Sequence, residues 1–256
     1  FNQSAGDAQG KVDAFHDLLK NPDIKAIFGS RGGNRALTML DRIDFELVRA
    51  HPKIIVGYSD LTVLLNVIYR QTGMTTFHGP LFRELPKRTE AELEQMLALL
   101  GGGTPSIPFA DSKIINEGRA EGRLVGGNLS LLQAMSGTPF QPDTDHAILF
   151  IEDTGAPLRR YDRILSPLPL SSFFPPLLYL LLSLFSKTGD DEDRPFGFTL
   201  EDIVREHLEN KNIPIVMNAP FGHDAALYTL PVGGKAQLEA KNGKVIFKIA
   251  EPVVGP

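Results

Sequence analysis

The sequence has 256 residues, 42% of them hydrophobic and 22% charged, with a formal net charge of −5 and no cysteine. That length buries a sizeable core in one large domain or two modest ones. The acidic balance, with no basic cluster, argues against nucleic-acid binding; the missing cysteines exclude disulfides, thiolate metal sites and cysteine nucleophiles.

In chain order, Val12, Phe15, Leu18 and Leu19 recur at helical spacing, and Asn21-Pro22 stops that helix. Ala26 to Phe28 reads as a short buried strand, followed by Gly29-Ser30-Arg31-Gly32-Gly33 and a helix expected from Asn34 to about Ile43. A second buried strand, Ile54 to Val56, exits through Gly57-Tyr58-Ser59-Asp60 into an amphipathic helix that ends near Gly73. Thr75 to Phe77 is a third strand, and Thr89 with Glu92 forms a capping box for a helix ending at Gly101-Gly102-Gly103. Strands alternating with helices imply a mostly parallel sheet.

The glycine-rich, polar stretch from Gly101 to Gly122 is the expected boundary between an N-terminal domain, 1–104, and a C-terminal one, 118–256. Beyond it come Gly126-Gly127-Asn128, a short helix, a strand from Ala147 to Ile151 ending in Glu152-Asp153, a helix opened by Thr199 and Asp202, and a strand from Ile213 to Met217 running into Phe221-Gly222-His223. The tail reads as a hairpin turning at Asn242-Gly243. One segment fits no element. Ile164 to Ser186 carries no charge, but Pro167, Pro169, Pro175 and Pro176 interrupt the roughly 20 apolar residues that a membrane span requires, so a buried or irregular segment is expected.

Ser59 lies between a buried strand and a helix on a sharp Gly-x-Ser-Asp turn, the setting that lifts a serine hydroxyl to the top of a sheet. The Asp60 N–H at the helix start is then placed to stabilise an oxyanion. The bland alternative is that Ser59 or Asp60 caps the helix. A serine nucleophile needs a base, and the base an orienting carboxylate. His223 and Glu152 both follow strands, so all three fall at strand carboxyl ends, where open α/β sheets place their sites. Asp153 is an alternative acid and His78 a rival base. Arg31-Gly32-Gly33 reads as an anion cradle, a backbone donor to a reacting carbonyl, or simply a tight turn. No phosphate loop, dinucleotide fingerprint or HExxH motif supports a nucleotide or zinc reading.

Together, Arg31-Gly32-Gly33, His51-Pro52-Lys53, Gly57-Tyr58-Ser59-Asp60-Leu61-Thr62, Thr76-Phe77-His78-Gly79-Pro80, Gly126-Gly127-Asn128-Leu129, Gly137-Thr138, Phe150-Ile151-Glu152-Asp153, Arg163 and Gly222-His223 resemble the LD-carboxypeptidase family of serine peptidases. The resemblance implies an N-terminal α/β domain with a mostly parallel sheet, a C-terminal β-rich domain, and an active site at their interface. It implies Ser59 as nucleophile, Glu152 as acid, His223 as base, and an oxyanion hole from Asp60 N–H with Gly33 or Gly32. Arg31, His78, Gly127 and Asn128 are the candidate substrate contacts. No metal, cofactor, nucleic acid or membrane is implied. The implied protein is a cytoplasmic homodimer that hydrolyses an L,D-amide bond in murein peptides, tetrapeptide to tripeptide. Its alternatives are a microcin C-type peptidyl- or aminoacyl-nucleotide amide hydrolase and a non-catalytic muropeptide-binding protein.

The chain departs from the family pattern in three places. A βα unit of about 30 residues is expected ahead of Phe1. The glycine turn runs straight into Asn34-Arg35, and the stretch from Ser166 to about Leu182 does not match the family's helix and strand.

Overall fold

The computed structural model describes residues 6–167, 177–189 and 193–255. Helix α1 (Ala8–Lys20) begins where the Asp7 carboxylate accepts from Gly10 N–H at 2.8 Å, and it buries Val12, Phe15 and Leu19. Strands β1 (Ala26–Phe28), β2 (Ile54–Gly57) and β3 (Thr76–His78) form from the expected apolar runs. Helices α2 (Phe45–Ala50) and α3 (Thr62–Thr72) precede and follow β2, and α3 stops at left-handed Gly73. The helix expected from Asn34 is instead a 3-10 helix, Ala36–Arg42. Its entry is tied elsewhere: Asp60 Oδ2 accepts from both Arg35 N–H and Ala36 N–H at 2.9 Å. The Thr89–Glu92 capping box opens α4 (Glu90–Leu100) as expected.

The remaining α-helices and β-strands are β4 (Lys113–Asn116), β5 (Gly118–Asn128), α5 (Leu129–Ala134), β6 (Ala147–Thr154), α6 (Leu158–Leu165), β7 (Tyr179–Ser186), α7 (Leu200–Leu208), β8 (Ile215–Ala219), β9 (Leu230–Val232), β10 (Lys235–Lys241) and β11 (Lys244–Ile249). Among the described residues the strands form two sheets. One has the order β1-β2-β3-β9, parallel except for β9. The other has the order β11-β10-β5-β6-β7-β8-β4, with β5 to β8 parallel and antiparallel strands outside them. The strand-rich second half therefore has a parallel centre crossed by α5, α6 and α7, and through β9 it also completes the first sheet. The 101–122 stretch holds β4 and the start of β5 as well as the glycine turn. The tail hairpin forms as expected, with Asn242 (φ 50°) and Gly243 (φ 71°) in its two-residue turn.

The apolar run from Leu177 to Phe185 finds its place in β7. Tyr179, Leu180, Leu181 and Leu182 are wholly buried. A central parallel strand is covered on both faces, so it reads as continuous hydrophobicity rather than alternation. No helix of the described residues is long and apolar enough to cross a membrane. The rest of the anomalous run, 168–176, lies outside the described residues.

The two sheets meet where α3 touches the end of β5. Thr62 Oγ1 accepts from Asn128 N–H at 3.0 Å, and the Asn66 amide pairs with the Gly126 backbone in both directions, at 2.8 and 3.3 Å. The helix that follows Ser59 is thereby fastened to the strand beside Glu152.

Candidate active site

Ser59 leaves β2 with φ 61°, a left-handed conformation that costs a non-glycine residue about 1 kcal/mol or more. The 3-10 turn Ser59–Leu61 leads directly into α3, so the Asp60 N–H lies in the first helical turn, where backbone donors lack intrahelical acceptors. The glycine turn packs against it. A methyl group placed on Gly32 would lie 3.1 Å from Ser59 Oγ, and one on Gly33 would lie 3.1 Å from Asp60 Oδ2. The Asp60 carboxylate, which accepts the Arg35 and Ala36 N–H groups, holds this turn in register with Ser59. Arg31 is exposed at the same turn.

Glu152 is wholly buried near the end of β6, and its Oε2 lies 2.6 Å from His223 Nδ1. A carboxylate only accepts, so the proton sits on Nδ1 and Nε2 is left as a basic lone pair. Burial disfavours the His223 charge. The Glu152 hydrogen bond and attraction, with smaller attractions from Glu84 and Asp153, outweigh it, so the imidazole pKa is raised above its ordinary value. Asn128 Nδ2 lies 3.4 Å from Glu152 Oε1 and 3.2 Å from Asp153 Oδ1.

Asp153, the alternative acid, is turned away. Its carboxylate accepts Ser130 N–H at the start of α5 and the N–H of its neighbour Thr154, each at 2.7 Å. His78, the rival base and expected substrate contact, is wholly enclosed by Tyr58, Phe150 and Phe221 and does not reach the surface. Of the other histidines, His16 accepts from Asp44 N–H, His146 meets Asp145 at 2.8 Å and His207 meets Asp162 at 2.7 Å. Gly127 backs onto Thr62, where an added methyl would approach to 2.7 Å. No group of three or more metal-binding side chains forms among the described residues.

Several residues around these groups had no role in the motif reading. The Tyr58 hydroxyl donates to Glu84 at 2.8 Å, and its ring lies 4.8 Å from that of His223. Burial, then Glu84, pushes the phenol pKa up. Buried Glu92 and Gln95 of α4 bind the backbone of Leu227 and Thr229, anchoring the loop that follows His223. Thr62 and Asn66 join the two sheets. A buried asparagine within the Leu64-to-Ile68 run was the legible signal for that junction, because an amide on an apolar helix face requires a partner.

Gly222 shows how tightly acid and base are set. It has φ 97°, and an added methyl would lie 2.7 Å from Glu152 Cβ. Gly222→Ala is expected to push Glu152 off His223 and to destabilise the fold by about 1–3 kcal/mol. Urea denaturation and substrate turnover measured together check both effects; an unchanged protein would mean that the loop relaxes freely.

Comparison with known proteins follows the same lines. Models described as the LD-carboxypeptidase N-terminal and C-terminal domains match residues 1–79 and 121–238. A probable murein peptide carboxypeptidase of Bacillus subtilis is 31% identical, over 95% of this chain and 78% of the relative. The microcin C7 self-immunity protein MccF of Escherichia coli is 30% identical, over 94% of this chain and 78% of MccF. A solved MccF complex with glutamyl sulfamoyl guanosine superposes with a TM-score of 0.86 at 26% identity, covering 98% of this chain and 83% of that one. The crystal structure of a muramoyltetrapeptide carboxypeptidase from Oxalobacter formigenes superposes with a TM-score of 0.87 at 29% identity, covering 97% and 86%.

Proposed function

The chain belongs to the LD-carboxypeptidase family of peptidases, and from that premise we propose that it is a serine carboxypeptidase acting on murein tetrapeptide, with Ser59, Glu152 and His223 as its triad. The observation that carries this reading is the 2.6 Å contact between His223 Nδ1 and buried Glu152, in a site whose aromatic wall is the residue before Ser59.

His223 Nε2 takes the Ser59 Oγ proton as Oγ attacks the amide carbonyl between the L-centre and the terminal D-residue. The resulting oxyanion accepts from Asp60 N–H and from the Gly32-Gly33 turn; one such donor is worth about 10²–10³ in rate. His223 then protonates the leaving amine, and water, deprotonated by the same imidazole, releases the tripeptide from Ser59. Arg31, exposed at the rim, supplies a guanidinium for the free C-terminal carboxylate. A cytoplasmic homodimer with domains at 1–104 and 118–256 belongs to the same proposal.

Likeness to MccF supports a second reading with the same chemistry and an aminoacyl or peptidyl nucleotide as substrate. The test sets D-alanine release from muramoyl tetrapeptide beside hydrolysis of an aminoacyl sulfamoyl nucleotide. Release of D-alanine alone is the expected result. Nucleotide hydrolysis alone favours the second reading, and tetrapeptide binding with no turnover of either compound would replace both with a binding role.

A further inference from the structure

His78 closes β3, in register with Gly57 of β2 and Leu230 of β9, so it stands one residue across from the turn that carries Ser59. Its ring is 5.8 Å from that of Tyr58, the residue before Ser59. It is 5.3 Å from Phe150, two residues before Glu152 on β6 and therefore on the same face of that strand. It is 6.1 Å from Phe221, two residues before His223. All three contacts are edge-to-face, with interplanar angles of 71°, 76° and 88°. Phe150 and Phe221 meet each other edge-on at 5.5 Å, and Tyr58 reaches His223.

We propose that His78 is a positioning residue for the triad, an imidazole packed at once against the three segments that deliver the nucleophile, the acid and the base. This rests on the triad reading above.

Two observations set it apart from ordinary core filling. First, neither ring nitrogen has a hydrogen-bond partner among the described residues, although the side chain is wholly buried. A ring retained only to fill space has no use for two unpaired polar atoms, which are costly in a core. Edge-to-face geometry gives an imidazole N–H a π face to point at, an interaction a phenyl edge makes more weakly. The ring is also smaller than phenyl, and the segments around it come from both sheets. Second, burial and the nearby His223 hold its pKa down to about 3, so the ring stays uncharged while His223 cycles between its protonation states. The charged groups that act on Tyr58 and His223 beside this cluster are Glu84, Arg88, Glu152 and Asp153.

His78 touches no reacting atom, so its effect is read through its neighbours. In His78→Ala and His78→Phe, kcat for the substrate turned over by the wild type is expected to fall by ~10- to 100-fold, the scale of a misplaced reacting group, with KM within about twofold. The downfield Nδ1–H proton resonance of His223, which reports its hydrogen bond to Glu152, is expected to shift or broaden in both variants. A core role alone would lower the unfolding midpoint and leave that resonance in place. Wild-type kcat and an unshifted resonance in the folded variants would overturn the proposal; if the alanine variant does not fold, the phenylalanine variant decides. Ser59→Ala run alongside separates the two ideas. Activity surviving in Ser59→Ala indicts the triad assignment, whereas loss there with active His78 variants indicts only the positioning role. The proton resonance tests His78 even in a protein for which no substrate is found.

Discussion

Ser59→Ala is expected to lower turnover by at least about 10⁴-fold while leaving the fold intact, since loss of a triad nucleophile leaves only binding and the oxyanion donors. Alanine meets the same φ of 61° that serine does, so the urea midpoint should hardly move. Ser59→Gly separates strain from chemistry. It should be just as inactive but more stable than the wild type by about 1 kcal/mol, because glycine adopts that conformation without strain. Turnover of the tetrapeptide and urea denaturation of the three proteins make the comparison. Activity above a tenth of wild type in either variant would mean that another group attacks the substrate. A destabilised Ser59→Gly would mean that the hydroxyl, rather than the backbone, holds the turn.

Glu152→Gln should cost about 10³–10⁴ in kcat. The amide keeps the shape of the side chain and can still meet His223 Nδ1, but it no longer stabilises the imidazolium that forms when Ser59 gives up its proton. The pH profile carries the sign. His223 works as a base only when neutral, and its pKa is raised above 6.5, chiefly because Glu152 outweighs the effect of burial. The acid limb of the wild-type profile therefore lies above pH 6.5. In Glu152→Gln the largest raising contributions are gone, and the limb should move to lower pH. Stability follows the same linkage. A raised histidine pKa stabilises the fold fully below the unfolded value of about 6.5, and this stabilisation is lost as pH rises through the folded value. The pH-dependent stability gap between wild type and Glu152→Gln should accordingly be widest in acid and close as pH rises. A limb that stays put in the variant would separate His223 from Glu152.

The segment that carries Ser59 was legible in the sequence, and the reason is local. The apolar strand, tight turn and amphipathic helix around Ser59 are written within a few residues, here Ile54 to Thr72. The capping boxes at Thr89 and Thr199, the hairpin at Asn242-Gly243 and the strand from Ala26 to Phe28 were readable for the same reason, since each depends on neighbours in the chain. The order of the motifs around Ser59, Glu152 and His223 sufficed for the family.

What required the folded molecule was every choice between equivalent residues far apart in sequence. Glu152 and Asp153 are adjacent and chemically alike; strand alternation turns one carboxylate to His223 and the other to the start of α5. His78 ends β3 and His223 follows β8, yet ring packing from two sheets encloses the first and leaves the second beside Tyr58 and Glu152. The uncharged Leu177-to-Phe185 run has no period, because a strand covered on both faces needs none, and only its neighbours β6 and β8 identify it. The chain by itself determined its elements and its chemical vocabulary, which short-range sterics and hydrogen bonds set. The tertiary structure decided which carboxylate meets His223, which histidine is enclosed and which apolar run becomes a central strand, because burial and strand register are properties of what packs alongside.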